Sequence, residues 1–192
     1  MNDPMIDATW CRAHYACYGD RRLARLFDRP LGVPEVLTRR DGPWKRVPAR
    51  DRMGVFFRAA PVPLQMIVAN RAADRQVRAH CLHCGAPTVE AWACRWLSGE
   101  DRSVATAWLA TEAVQGGWRA CSDPARNWLW SAATEATWAA WWTGARVAAR
   151  AAGFAAAAAS KESGQARRAE HLAQLADAID VLAGDEAAKE KT

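Results

Sequence analysis

The 192 residues are ample for one hydrophobic core without disulfides or a metal ion, and the chain carries a net charge of +5. Eleven Trp stand against two Tyr and four Phe, helix-forming residues dominate, and alternating runs of β-branched residues are absent, which excludes a substantial sheet. The most apolar stretch is broken by Glu135, Arg146 and Arg150, so we expect neither a membrane-spanning helix nor a membrane partner.

Caps, prolines and glycines divide the chain into helices and turns. Helices are predicted at about 9–27, 49–59, 63–80, 88–97, 101–113, 124–159 and 165–183, and a continuation of the fifth helix to Ala120 with a kink at Gly116-Gly117 is left open. A short helical turn is predicted at 35–40, and 44–48 is predicted to be a loop. The sequence therefore predicts an all-α, irregular multi-helix bundle. We expect a basic N-terminal helix and loop segment (1–60), a helical bundle (61–184) and a frayed tail (185–192).

The predicted helix over 124–159 combines a bulky side with a small one. At about 100° per residue, Trp130 and Trp141 fall nearly on one line, and the opposite side carries Ala133, Ala136 and Ala140. Backbones can approach closely on the alanine side while indoles fill the space on the other. This long Ala/Trp-rich helix is predicted to be the central element of the bundle.

Positive charge is concentrated in the first part of the chain. Residues 1–80 contain 15 Lys/Arg and 8 Asp/Glu, a net charge of +7, whereas residues 81–192 have a net charge of −2. The excess lies in the Arg-rich segment 21–58. The predicted partner-binding residues are Arg21, Arg22, Arg25, Arg39, Arg40, Trp44, Lys45, Arg46, Arg50 and Arg52.

Arginines with an aromatic residue nearby can bind an acidic protein surface. They can equally bind a nucleic acid, through its phosphates and through stacking on its bases. Trp44 lies in the basic loop, and an exposed Trp is favoured at protein interfaces. The alternative is a solvated surface on which some arginines bridge to Asp28, Glu35, Asp41 and Asp51.

The densest group of potential metal ligands is His80-Cys81-Leu82-His83-Cys84, in which the thiols have C-x-x-C spacing. A structural zinc ion needs four ligands, and a second pair at matching spacing is not evident. We favour burial of Cys81 and Cys84 as reduced thiols, with both imidazoles facing water; zinc held by Cys81, His83 and Cys84 is the alternative. No metal or cofactor is expected.

Enzymatic activity is not predicted. The sequence contains no Gly-rich phosphate loop, no H-E-x-x-H and no G-x-S-x-G. Residues 1–7 are polar and acidic, unlike a secretory signal, so we expect a cytoplasmic protein. A zinc-stabilised or thiol enzyme remains a third hypothesis, behind the two binding functions given below.

The run from Glu90 to Glu100 ends in Trp96-x-x-Gly99-Glu100, an Ala/Trp-rich helix follows it, and Arg167-Arg168 begins the closing helix. In these features, residues 64–182 resemble the all-helical immunity-protein family of bacterial toxin loci and its phage-encoded relatives. The resemblance implies a small, helical, cytoplasmic protein without enzymatic activity. Immunity proteins against nucleases are typically acidic, so the basic charge here argues against a nuclease toxin as the partner.

Two functions follow as hypotheses. The first is a non-catalytic, protein-binding inhibitor from a phage or mobile element, of immunity or anti-defence type, which occupies a host or toxin protein with an acidic surface. The alternative is a small nucleic-acid-binding accessory protein that uses the Arg-rich segment 21–58.

Overall fold

A computed structural model of the chain describes residues 4–14, 18–120, 123–144 and 147–189. Its ordered elements are α-helices and one 3₁₀ helix, which confirms the all-α prediction. The helices are α1 (Ala8–His14), α2 (Asp20–Leu26), α3 (Val33–Thr38), the 3₁₀ helix (Gly42–Arg46), α4 (Ala49–Ala59), α5 (Val62–His80), α6 (Pro87–Ser98), α7 (Val104–Ala120), α8 (Pro124–Gly144), α9 (Ala148–Glu162) and α10 (Gly164–Lys189). No described helix is long and apolar enough to cross a membrane.

The chain forms two compact units. Unit 1 consists of Met1–Gln65 together with Leu175–Thr192, and unit 2 of Met66–Gln174. The N-terminal boundary lies close to the predicted one at residue 60, but the second half of α10 belongs to unit 1. Leu175 and Leu182 on that half are buried, and α10 continues as helix to Lys189, where the sequence predicted a frayed tail from residue 185. Residues 190–192 lie outside the described ranges.

The first predicted helix, over 9–27, is wrong. The structure has two short helices there, α1 and α2, and Gly19 caps α2 in an extended conformation. A glycine has little helix propensity, so it can end a helical run that the apolar pattern alone would continue. The predicted turn at 35–40 is α3, and the predicted loop at 44–48 overlaps the 3₁₀ helix.

Unit 2 contains a helical hairpin in place of the predicted long helix over 124–159. Helix α8 ends at Gly144 and α9 begins at Ala148. The two run back along each other: the rings of Trp138 and Phe154 stack with centroids 5.9 Å apart, and the guanidinium of Arg150 lies 4.4 Å from the ring centroid of Trp142. Folding back buries more apolar surface than one extended helix would.

The small and bulky sides of α8 are both used in packing. Ala133, Ala136 and Ala140 have no exposed surface, which confirms the predicted small side. On the bulky side, Trp138 packs edge-on against Trp141 and Trp108, with ring centroids 5.2 and 5.6 Å apart. Both sides of α8 therefore contribute to the packing of unit 2.

Candidate functional site

Arg52 is a buried cation that ties together the loop-rich part of unit 1. Only 2% of it is exposed, and its guanidinium donates to the carbonyl oxygens of Val36 at 2.7 Å and Trp44 at 2.6 Å. Weaker hydrogen bonds reach the carbonyls of Leu37 and Val47, both at 3.3 Å. These acceptors lie at the C-terminal turns of α3 and the 3₁₀ helix, where carbonyl groups lack helical partners and carry partial negative charge.

Burial and the nearby Arg40 lower the pKa of Arg52 to about 10, so the side chain is still protonated at neutral pH. The cation therefore caps two helices at once. The prediction that Arg52 belongs to an exposed partner-binding surface is wrong, because its side chain is buried and all three guanidinium nitrogens donate to backbone carbonyls.

Trp44 is also buried, with 3% of its surface exposed. Its indole N–H donates to the carbonyl oxygen of Leu26 at 2.7 Å, and its ring packs edge-on against Phe27. The indole thus fastens the 3₁₀ helix to the C-terminal end of α2. The prediction that Trp44 is an exposed interface aromatic is wrong for a physical reason: a short 3₁₀ helix can turn one large side chain inward without any sequence periodicity.

Two of the predicted cations, Arg39 and Arg50, form ion pairs with nearby carboxylates. Arg39 binds Asp41 at 2.8 Å and Asp28 at 3.1 Å, Arg50 binds Asp51 at 3.2 Å, and the neighbouring Arg29 binds Glu35 at 2.5 Å. The Arg39 guanidinium lowers the pKa of the Asp28 and Asp41 carboxyls. The bridges weighed as the alternative to a binding surface therefore do form at these positions.

Six cations remain exposed, and none of them forms an ion pair within the described part of the chain. We call this group the cationic surface; it consists of Arg21, Arg22, Arg25, Arg40, Lys45 and Arg46. On α2, Leu23 and Leu26 face inward, so the three arginines share the outward side. Lys45 and Arg46 lie on the 3₁₀ helix, which Trp44 joins to α2.

Two of these arginines have their positions restrained by neutral groups. The guanidinium of Arg22 lies over the ring of Tyr18, 3.9 Å from its centroid. Arg40 donates to the carbonyls of Leu37 at 2.8 Å and Arg39 at 3.0 Å. Both side chains lose part of their rotamer freedom, which lowers the entropy cost of binding an anionic surface.

A buried polar cluster in unit 2 was not predicted. The carboxylate of Glu170, itself 5% exposed, accepts hydrogen bonds from Arg75 at 2.9 and 3.2 Å, from Gln76 at 2.8 Å and from Gln174 at 3.0 Å. The cluster borders a cleft of about 280 Å³ between α5, α9 and α10. Since the carboxylate oxygens already have protein donors, the arrangement joins α5 to α10 and leaves no reactive group unsatisfied. The i,i+4 spacing of Glu170 and Gln174 is the signal that could have revealed it.

The Cys/His run has the thiols buried as predicted, but one imidazole is placed differently. Cys81 and Cys84 are buried, and burial raises the pKa of both thiols. His83 is exposed, whereas His80 is 3% exposed, so the prediction that both rings face water is wrong for His80. The Nε2 atom of His80 lies 3.2 Å from Gln76 Oε1 and 3.7 Å from Glu162 Oε1.

A metal ion or a reactive thiolate requires a deprotonated sulfur. The raised pKa of both thiols disfavours that form. Among the residues that the structure describes, no three His, Cys, Asp or Glu side chains converge on a point where they could hold a metal ion.

Comparisons with known proteins found no matching protein-family model, curated protein or solved structure. The resemblance to immunity proteins therefore stays a prediction. The cationic surface and the scaffold that holds it are the features from which a function can be argued.

Proposed function

We propose that the protein is a non-catalytic binding protein whose cationic surface occupies an acidic surface of a host or toxin protein. The observation that carries this proposal is the set of six exposed cations without carboxylate partners in the described ranges, on elements fixed by buried Arg52 and Trp44. Cations left unpaired on a fixed scaffold attract an anionic partner and need little reorganisation to bind it.

An acidic protein fits this surface better than single-stranded nucleic acid does. Base stacking needs exposed aromatic rings, but Trp44 is buried, and Arg22 already covers the ring of Tyr18. Phosphate contacts remain open to these arginines, so a nucleic-acid-binding accessory protein is the competing outcome of the test.

The inhibitory role, of immunity or anti-defence type, and the origin in a phage or mobile element are part of the same proposal. They are supported by the resemblance of residues 64–182. A protein that acts by occupying its target needs a rigid binding surface, which fits the fixed cations.

The test is affinity capture from a bacterial lysate treated with nuclease, using the tagged wild-type chain and a charge-reversed variant, Arg21→Glu/Arg25→Glu/Arg46→Glu. We expect the wild type to retain one protein in stoichiometric amount and the variant to lose it. Arg167→Glu/Arg168→Glu, which reverses two exposed cations of unit 2, is the control and should retain the protein.

Increasing salt should weaken the capture, because exposed charges are screened. Parallel binding measurements use a mixed-sequence DNA duplex and bulk tRNA as probes. Tight, strongly salt-dependent binding to either probe, with no protein captured, would replace the proposed function by the nucleic-acid alternative. Capture that survives the triple reversal would show that the cationic surface is not the binding site.

A further inference from the structure

Helix α7 is apolar on its outward side as well as on its inward side. Its buried residues, Ala107, Ala110, Thr111 and Val114, define the side that packs in unit 2. The opposite side carries a row of exposed residues at helical spacing: Ala105, Leu109, Ala113, Gly116 and Ala120. A helix that is hydrophobic all round is normally buried. We therefore expect another protein surface to cover this outward side of α7 in the functional state.

The row combines one large side chain with small neighbours. Leu109 is 66% exposed, and Trp108 beside it is 40% exposed. A Cβ atom built on Gly116 meets nothing within 4 Å, so the space above this residue is open. Small residues in such a row let the backbone of another helix approach closely, as in other closely packed helix pairs.

Two opposite charges flank this row on the same side. Glu112 and Arg119 are seven residues apart, which is about two helical turns. Both are exposed, and neither has an ion-pair partner in the described part of the chain. The surface therefore carries both signs of charge along one edge of an apolar strip.

We propose that this outward side of α7 is the contact surface of a homodimer in which the α7 helices of two copies pack antiparallel. A two-fold axis that crosses the helices near Gly116 places Glu112 of each copy opposite Arg119 of the second copy. Both ion pairs then form at once, and like charges are kept apart. In a parallel two-fold arrangement, the charged edges of the two helices would lie on opposite sides of the interface. The two ion pairs therefore form only in the antiparallel arrangement.

This geometry also brings the small residues together where the helices cross. Gly116 and Ala113 lie close to the axis, where two helices can approach only if the side chains between them are small. An isologous contact of this kind needs a patch that complements itself in shape and in charge, and the α7 row offers both.

Sedimentation velocity with the full chain tests the proposal. We expect the wild type to sediment with twice the 21.1 kDa mass of one chain and to dissociate on dilution. Glu112→Arg puts two arginines opposite each other in both pairs and should raise the dimer dissociation constant about tenfold or more, and Arg119→Glu should do the same.

The double variant Glu112→Arg/Arg119→Glu restores opposite charges with the positions exchanged, and it should recover the dimer. Arg168→Glu, an exposed cation elsewhere in unit 2, is the control and should leave the mass unchanged. All these positions are exposed, and a circular dichroism spectrum of each variant is the check that it is folded. A monomeric wild type, single variants that dimerise normally, or a double variant without recovery would each overturn the proposal.

Discussion

The guanidinium of Arg52 donates to the carbonyl oxygen of Trp44 at 2.6 Å, and the indole of Trp44 in turn donates to Leu26 at 2.7 Å. One buried cation thus holds the 3₁₀ helix, and the 3₁₀ helix holds the end of α2. Three cations of the cationic surface lie on α2 and two on the 3₁₀ helix. The surface is therefore positioned by two residues that do not themselves face solvent.

Replacing Arg52 should destabilise unit 1. Arg52→Met keeps much of the side-chain volume but leaves the carbonyls of Val36 and Trp44 buried without their donor, and the free energy of unfolding should fall by about 3 kcal/mol. Arg46→Met, an exposed neighbour, should change it by no more than about 0.5 kcal/mol. Urea denaturation followed by circular dichroism measures both. Equal stability of the two variants would mean that Arg52 does not cap these helices.

His80 should make the stability of the protein depend on pH. Burial lowers the pKa of His80 in the folded state, and the carboxylate of Glu162 only partly opposes this effect. The neutral ring is therefore favoured by folding. Its contribution is complete above the unfolded-state pKa of about 6.5 and is lost as pH falls towards the lower folded-state value.

The variant His80→Gln removes this titration, so the stability difference between wild type and variant should shrink from pH 7.5 to pH 5.5, values that bracket roughly the unfolded pKa. His83→Gln, at an exposed position three residues away, is the matched control and should keep the pH profile of the wild type. Thermal unfolding at the two pH values gives the comparison. A difference that stays constant or grows at low pH would contradict the burial of a neutral ring.

Two adjacent glycines in α7 should respond in opposite ways to alanine. A Cβ on Gly117 would lie 2.6 Å from two ring atoms of Trp130, whereas a Cβ on Gly116 meets nothing. Gly117→Ala forces the indole to move and should destabilise the fold by about 1–3 kcal/mol. At a chain concentration low enough for the protein to be monomeric, Gly116→Ala should be neutral or stabilising by up to about 1 kcal/mol, because alanine loses less backbone freedom on folding.

The comparison of these two variants needs only their melting temperatures. A fall for Gly117→Ala with no fall for Gly116→Ala is the expected pattern. If both variants melt at the same temperature, Trp130 does not pack on α7 as described.

Helices with clear end signals could be predicted from the sequence. Helix α4 begins after Pro48 and ends at Ala59, two residues before Pro61, and its predicted bounds are confirmed. The end of α8 has a weaker signal, because Gly144 is a residue that a helix can also tolerate in its interior. An Ala-rich run is compatible with one helix or two, and the gain from packing α8 against α9 decides between them.

The cationic surface could be predicted only as a segment. Net charge indicates the segment, but neither the burial of Arg52 nor that of Trp44 follows from charge or from periodicity. An arginine forms an ion pair only where the fold places a carboxylate near it, as it places Asp28 near Arg39. These distances between elements are set by the tertiary structure, and neither composition nor helical periodicity predicts them.

Zero-length cross-linking of the captured complex tests the central claim most directly. A carbodiimide joins a lysine amine to a carboxylate in contact with it, and the chain carries Lys45 on the cationic surface and exposed Lys161 on α9 of unit 2. We predict cross-linked peptides between Lys45 and Asp or Glu residues of the captured protein, and none from Lys161. Cross-links from Lys161 without any from Lys45 would contradict the assignment of the binding surface to unit 1.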